Sequence, residues 1–140
     1  MADDFSKQLE VIAKQIDEDI NKAVAKVALA VDKHVVTQTP IDKGTARSNW
    51  QVSLDAPAQG TIPAYSPGKE GSTAGANTAA AIAQGAAVIA GRKPGQDVFI
   101  TNNLPYIGRL NEGHSKQSPA NFVEQAVMVG IAEAKNAKVL

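Results

Sequence analysis

One uninterrupted amphipathic helix pattern occupies the first quarter of the chain. Over residues 4–38, large apolar side chains recur every three or four positions, and the segment contains neither glycine nor proline. That spacing predicts a single α-helix with one apolar stripe, on the order of 50 Å long. The stripe consists of Phe5, Leu9, Ile12, Ile16, Ile20, Val24, Val27, Val31 and Val35. A helix of this length exceeds the diameter of a compact domain of this mass, so we expect part of the stripe to lack a partner within its own chain.

Large core-forming side chains are scarce. The chain is 44% hydrophobic, but much of that fraction is alanine and only 4% of the residues are aromatic. A chain of 140 residues predicts one domain over residues 1–140 with one modest core. The shortage of bulky side chains favours long helices and an oligomer that buries surface that a monomer would leave exposed.

The segment after the long helix predicts a strand and a loop. Thr39-Pro40 ends the helix, because proline disfavours the helical conformation of the residue before it. Alternating polarity over Ser48–Leu54 predicts a half-buried strand with Trp50 on its apolar face. Residues 56–75 are rich in Pro, Gly, Ser and Thr, which predicts a long exposed loop.

The second half predicts two more helices, a strand and a helical turn. An alanine-rich helix is expected over residues 76–90, followed by a strand over Asp97–Asn102. A helical turn begins at Pro105, and Ser118-Pro119 begins the last helix. The predicted fold class is therefore α+β, with the long N-terminal helix and the C-terminal helix packed on a small, mainly antiparallel sheet.

Charge and composition argue against several classes of protein. The formal net charge is zero and no segment concentrates Lys and Arg, which disfavours tight electrostatic binding to nucleic acid. The chain has no cysteine and therefore no disulfide and no thiolate metal site. No apolar run approaches the roughly 20 residues of a membrane span, and the N-terminus lacks signal-peptide features. We expect a protein made in the cytoplasm, with no membrane partner.

No set of residues predicts catalysis. His114, with Glu112 close by, could act as a general base, but no nucleophile pattern accompanies it. A loop histidine that contacts a backbone carbonyl or a neighbouring subunit is the favoured interpretation. Asp17, Glu18 and Asp19 diverge around a helix, so they do not converge on one ion. We predict no enzymatic activity, no metal and no cofactor.

The larger side chains are better explained as anchors of contacts. Trp50 and Tyr106 are expected in the core or at an interface, since aromatic residues contribute the most contact area in a chain with so few. Arg47 and Arg109, together with Arg92 and Lys93, could meet in space and touch a phosphate backbone. Ordinary surface charge or pairing between subunits is the favoured alternative.

Two segments resemble one known family. The first is Thr39-Pro40-Ile41-Asp42-Lys43-Gly44-Thr45-Ala46-Arg47-Ser48-Asn49-Trp50, which is similar to a "Pro-x-Asp-x-Gly-x-x-Arg-x-Ser/Asn-Trp" junction of small bacteriophage neck and tail-completion proteins. The second is Asn102-Asn103-Leu104-Pro105-Tyr106 with Leu110-Asn111-Glu112-Gly113-His114-Ser115, which resembles their second motif block. The family is known as minor tail components, including the tail-completion protein Z type.

The resemblance implies a structural virion protein of a long-tailed phage. It implies a subunit that forms a ring at the head–tail junction, a homo-oligomer predicted as a hexamer or dodecamer, in contact with other neck and tail proteins. DNA would pass through the ring lumen without sequence-specific binding. The residues we expect at subunit contacts are Arg47, Trp50, Tyr106, Arg109, Leu110, Glu112 and His114. The alternative is a small non-enzymatic adaptor that dimerises through its long amphipathic helix.

Overall fold

The computed structural model describes residues 2–40, 44–68, 71–113 and 120–136. Five helices and two strands lie within these ranges, and the helix at the N-terminus is the longest. In chain order the elements are α1 (Ala2–Gln38), α2 (Thr45–Ser48), β1 (Gln51–Leu54), α3 (Ala74–Ala90), β2 (Val98–Thr101), α4 (Ile107–Asn111) and α5 (Phe122–Asn136). The fold class is α+β, as the sequence predicts.

Helix α1 is 37 residues long and has two different halves. Its C-terminal half enters the core, where Val35 and Val36 are buried. Its N-terminal half projects beyond the rest of the molecule, and every described side chain from Asp4 to Ile20 is exposed. The expectation that part of the apolar stripe has no partner in its own chain is confirmed.

The sheet consists of β1 and β2, paired antiparallel with Val52 opposite Ile100. Helix α3 packs against β1, and a side chain from this helix completes the pairing of the strand. The Gln84 amide accepts a hydrogen bond from the Val52 N–H at 3.1 Å and donates one to the Val52 carbonyl at 3.0 Å. Gln84 thus takes the place that a third strand would occupy beside β1.

The C-terminal helix α5 packs mainly on α1, whereas α3 packs on both α1 and β1. The approach of α5 to α1 is close, since a Cβ added at Gly130 would stand 2.8 Å from the Cα of Val31. His34 on α1 also contacts the Glu133 carboxylate on α5, and this hydrogen bond lowers the pKa of Glu133.

The core has two connected parts. One part is formed where α1, α3 and α5 meet Trp50, and its buried members are Val35, Val36, Trp50, Ala81 and Ala126. The other lies between α1, α3 and the sheet, and its buried members are Ala28, Val52 and Ile89. Ile100 of β2 packs against both parts. The small residues on the three helices let their backbones approach closely, which compensates for the shortage of large side chains.

The structure differs from the prediction just before β1. The predicted strand begins at Ser48, whereas Thr45–Ser48 form a helical turn and the strand begins at Gln51. Alternating polarity does not reveal this turn, because tertiary hydrogen bonds stabilise it. The start predicted for the last helix, Ser118-Pro119, lies outside the described residues.

We predict that Trp50→Ala lowers the free energy of unfolding by about 3–5 kcal/mol, because it removes a large side chain from the core. Trp50 is 6% exposed, and its indole N–H also donates to the Thr39 hydroxyl at 2.7 Å. Urea unfolding monitored by circular dichroism measures the change. Met128→Ala is the matched control, since Met128 is 70% exposed on α5 and should shift stability little. Equal stability of Trp50→Ala and wild type would contradict the core assignment.

Candidate assembly site

The first motif block forms the junction between α1 and β1. Its arginine binds the end of α1: Arg47 donates to the carbonyls of Thr39 and Thr37, at 2.8 and 2.7 Å, and to the Thr78 hydroxyl at 2.7 Å. The Thr39 hydroxyl accepts from Trp50 and donates to the Val35 carbonyl at 2.6 Å. Both long side chains of the motif therefore hold the same residue at the end of α1.

A buried asparagine on α3 joins the junction to the loop that follows β1. Asn77 accepts from the Ser48 hydroxyl at 3.1 Å and from the Ser66 N–H at 2.8 Å. It donates to the Ser66 carbonyl at 2.8 Å and to Thr73. Gly44 lies directly against this amide, in a left-handed conformation with φ of 86°. Any side chain at position 44 would collide with Asn77, which explains the glycine of the motif.

The loop between β1 and α3 is attached by other motif side chains. The Asn49 side chain exchanges two hydrogen bonds with the Ile62 backbone, each 2.8 Å long. Gln51 and Asn103 both donate to the Gly60 carbonyl at 3.1 Å. The described part of this segment therefore follows a defined path, although it forms neither helix nor strand.

The two motif blocks meet in space. Asn102, which follows β2, donates to the Ala46 carbonyl of α2 at 2.9 Å and accepts from the Leu104 N–H. The side-chain oxygen of Asn111, at the end of α4, accepts a hydrogen bond from the Val123 N–H of α5 at 2.9 Å. Four polar side chains that carry the resemblance, those of Arg47, Asn49, Asn102 and Asn111, thus bind the chain's own backbone.

The predicted contact residues fall into two groups. Arg47 and Trp50 belong to the junction, half-buried and buried respectively. Tyr106, Arg109 and Glu112 are exposed on or beside α4, and the remaining α4 residue, Leu110, is half-buried. His114 lies outside the described residues. The α4 group presents a compact polar and aromatic surface at one end of the molecule.

The arginines do not gather into a phosphate-binding cluster. Arg47 binds α1 at Thr37 and Thr39, whereas Arg92 donates to Asn21 of the same helix at 2.8 Å. Sixteen residues of α-helix separate Thr37 from Asn21, a distance of about 24 Å. The structure thus separates two of the four basic residues that could have met on one phosphate backbone.

The projecting half of α1 presents a continuous apolar face, which we call the α1 ridge. Each of its side chains is at least half exposed, and all lie within a sector of about 80° of the helix. The ridge consists of Phe5, Leu9, Ile12, Ile16 and Ile20. Exposed apolar patches of this kind mark interaction surfaces in soluble proteins.

The same face of α1 continues into a groove beside the sheet, which we call the α1–β2 groove. Its volume is about 610 Å³. Val24, Val27 and Val31 form its floor, and Val98 and Ile100 of β2 form one wall. The ridge and the groove thus share one helix face.

A carboxyl group that sequence reasoning missed is buried beneath α3. Asp32 is 1% exposed, and its Oδ1 has no hydrogen-bond partner among the described residues. Gly85 lies so close that a Cβ there would collide with this carboxylate. Burial raises the pKa of Asp32 to about 7. The sequence signal was available, since Asp32 shares a helix face with the buried Ala28 and Val35.

The described parts of the chain contain neither a metal-binding cluster nor a membrane-spanning helix. Within those ranges, no group of three or more His, Cys, Asp or Glu side chains is placed to hold a metal ion. None of the helices there is long and apolar enough to cross a membrane.

We predict that Asn77→Ala lowers the free energy of unfolding by about 2–4 kcal/mol, because several buried hydrogen-bonding groups lose their partner at once. Urea unfolding measures this loss. The loop around Ser66 should also become more sensitive to limited proteolysis, since Asn77 holds its backbone. Gln125→Ala, on the exposed surface of α5, is the control. Unchanged stability and unchanged cleavage would show that Asn77 does not fix the loop.

We predict that Asp32→Asn becomes progressively more stable than wild type as the pH rises. The folded pKa is raised from 3.8 to about 7, so wild type loses stability as the pH rises through this window. The difference should grow by up to about 4 kcal/mol between about pH 4 and pH 8. Urea unfolding at several pH values measures it. A difference that does not depend on pH would contradict a buried, unpaired carboxyl group.

Comparison with known protein families gives one match. A family described as "Bacteriophage HK97-gp10, putative tail-component" matches residues 3–125. The matched range contains α1, both motif blocks and the first turn of α5. Searches of curated proteins and of solved structures gave no significant match.

Proposed function

Because the chain belongs to the HK97-gp10-like family of bacteriophage tail components, we propose that it is a ring-forming neck or tail-completion subunit at the head–tail junction of a long-tailed phage. Family membership makes it a structural phage protein and a component of the virion. The position in the particle and the ring are the parts that we propose. In this proposal residues 1–140 act as one domain without enzymatic activity.

One observation carries the proposal beyond the family. Described side chains of the two motif blocks bind the protein's own backbone: Arg47 binds α1, Asn49 binds the loop and Asn102 binds α2. Their role is to fix the relative positions of α1, the sheet and α4. A rigid junction that presents contact surfaces is what an assembly subunit needs, whereas catalysis needs reactive groups that face a substrate.

The α4 surface is our candidate for the contact with a neighbouring neck or tail protein. Tyr106 and Arg109 are exposed there, and both residue types are frequent at the centres of protein interfaces. The surface is positioned rigidly, since Asn111 joins α4 to α5 and Asn102 joins the preceding turn to α2. A ring in this position, of six or twelve subunits, would let DNA pass through its lumen without reading the base sequence.

We predict that purified particles contain the chain at the head–tail junction in six or twelve copies, the numbers we expect for the closed ring. Cryo-electron microscopy of particles, with mass spectrometry of their proteins, tests this. Particles that lack the chain, or that hold it far from the junction, would refute the proposal.

A variant separates the role of α4 from the stability of the fold. Arg109→Glu should reduce the yield of joined particles in a complementation assay while leaving the unfolding of the purified chain unchanged. Lys14→Glu, which is exposed on α1 away from the ridge, is the matched charge-reversal control. Equal particle yields from the two variants would remove α4 from the contact surface.

A further inference from the structure

We propose that copies of this chain associate head to tail, with the α1 ridge of one copy seated in the α1–β2 groove of the next. The inference specifies a contact within the proposed ring and rests on that function for its biological setting. The contact itself follows from length, apolar character and charge, which can be tested on the purified chain.

The lengths of the two surfaces match. The ridge runs from Phe5 to Ile20, about 22 Å along the helix axis. The floor of the groove runs from Ile20 to Val31, about 17 Å along the same axis. The ridge and the floor of the groove are both apolar, so covering one with the other removes apolar surface from water.

The charges at the edges of the ridge are acidic. Viewed down α1, Glu10 and Asp17 lie along one edge and Asp19 along the other. The two lysines of this half, Lys7 and Lys14, lie on the opposite face of the helix. A partner surface therefore meets carboxylates on both sides of the apolar side chains.

One edge of the groove carries basic residues. Arg92 lines it, and the exposed Lys93 follows in the same loop. The described hydrogen bonds of Arg92 go to the neutral groups of Gln96 and Asn21, so its charge is not neutralised by a carboxylate there. Asp97 is the acidic residue of the lining.

This charge distribution decides between two modes of self-association. Pairing of two ridges face to face would bring Glu10, Asp17 and Asp19 of both copies together, and like charges at such an interface repel. Seating the ridge in the groove brings the same carboxylates towards Arg92 and Lys93. The head-to-tail contact is heterologous, and contacts of this kind close into rings when the rotation between copies permits.

A pair of complementary variants tests the proposal. Ile12→Glu damages the ridge and leaves the groove intact. Lys93→Glu damages the basic edge of the groove, leaves the ridge intact and alters one exposed side chain. Val11→Glu is the matched control, since Val11 adjoins Ile12 in sequence but faces away from the ridge and is 69% exposed. Circular dichroism confirms that each variant retains its helices.

Sedimentation velocity over a range of protein concentrations gives the readout. Wild type and Val11→Glu should associate beyond the dimer, whereas Ile12→Glu should associate at least about tenfold more weakly. Lys93→Glu should also associate more weakly than wild type. An equimolar mixture of the two damaged variants should form dimers and stop there, since one intact ridge and one intact groove remain. High salt should weaken the association of wild type.

Several outcomes would overturn the contact. The first is a wild-type chain that stays monomeric at millimolar concentration. The second is association of Ile12→Glu that equals that of wild type. The third is dimer formation by the groove variant alone, which would indicate ridge-to-ridge pairing.

The location of the chain in particles is measured separately. If the chain lies at the head–tail junction but Ile12→Glu is incorporated normally, the proposed ridge–groove contact is refuted and the proposed function is retained. If the mixture forms dimers but the chain is absent from particles, the proposed function fails.

Discussion

The structure depends on how the end of α1 is fixed at Thr39. This residue is fully buried. Its hydroxyl accepts a hydrogen bond from the Trp50 indole, and its carbonyl accepts one from the Arg47 guanidinium. The hydrogen bonds fix the direction of a helix 37 residues long at one end, where it enters the core. Its other end is exposed among the described residues, and the ridge it carries is held in a defined direction.

Regular elements could be predicted from the sequence because their signals are local. The spacing from Phe5 to Val35 predicts α1, and the alanine-rich segment predicts α3 to within two residues at its start. The alternation around Val98 predicts β2. Each of these patterns reflects one face of one element, which needs no knowledge of the neighbours.

Features formed by distant residues could not be predicted in this way. Helix α2 depends on hydrogen bonds to α1 and α3, and the strand predicted from the alternation over Ser48–Leu54 therefore began within its last residue. The burial of Asp32 depends on the absence of a side chain at Gly85, more than fifty residues away in the chain. The motif around Trp50 was recognised, but the partner that explains its glycine, Asn77, lies outside both motif blocks. The groove likewise appears only when β2 is placed beside α1.

The Gln84 amide has a consequence for the solubility of the free chain. A strand at the edge of a two-stranded sheet presents backbone groups that can recruit strands from other molecules and begin aggregation. Gln84 occupies both backbone groups of Val52, so this edge of β1 is closed to such recruitment. A subunit that must remain dispersed at high concentration before it enters a particle benefits from this protection, which costs one side chain instead of a whole strand.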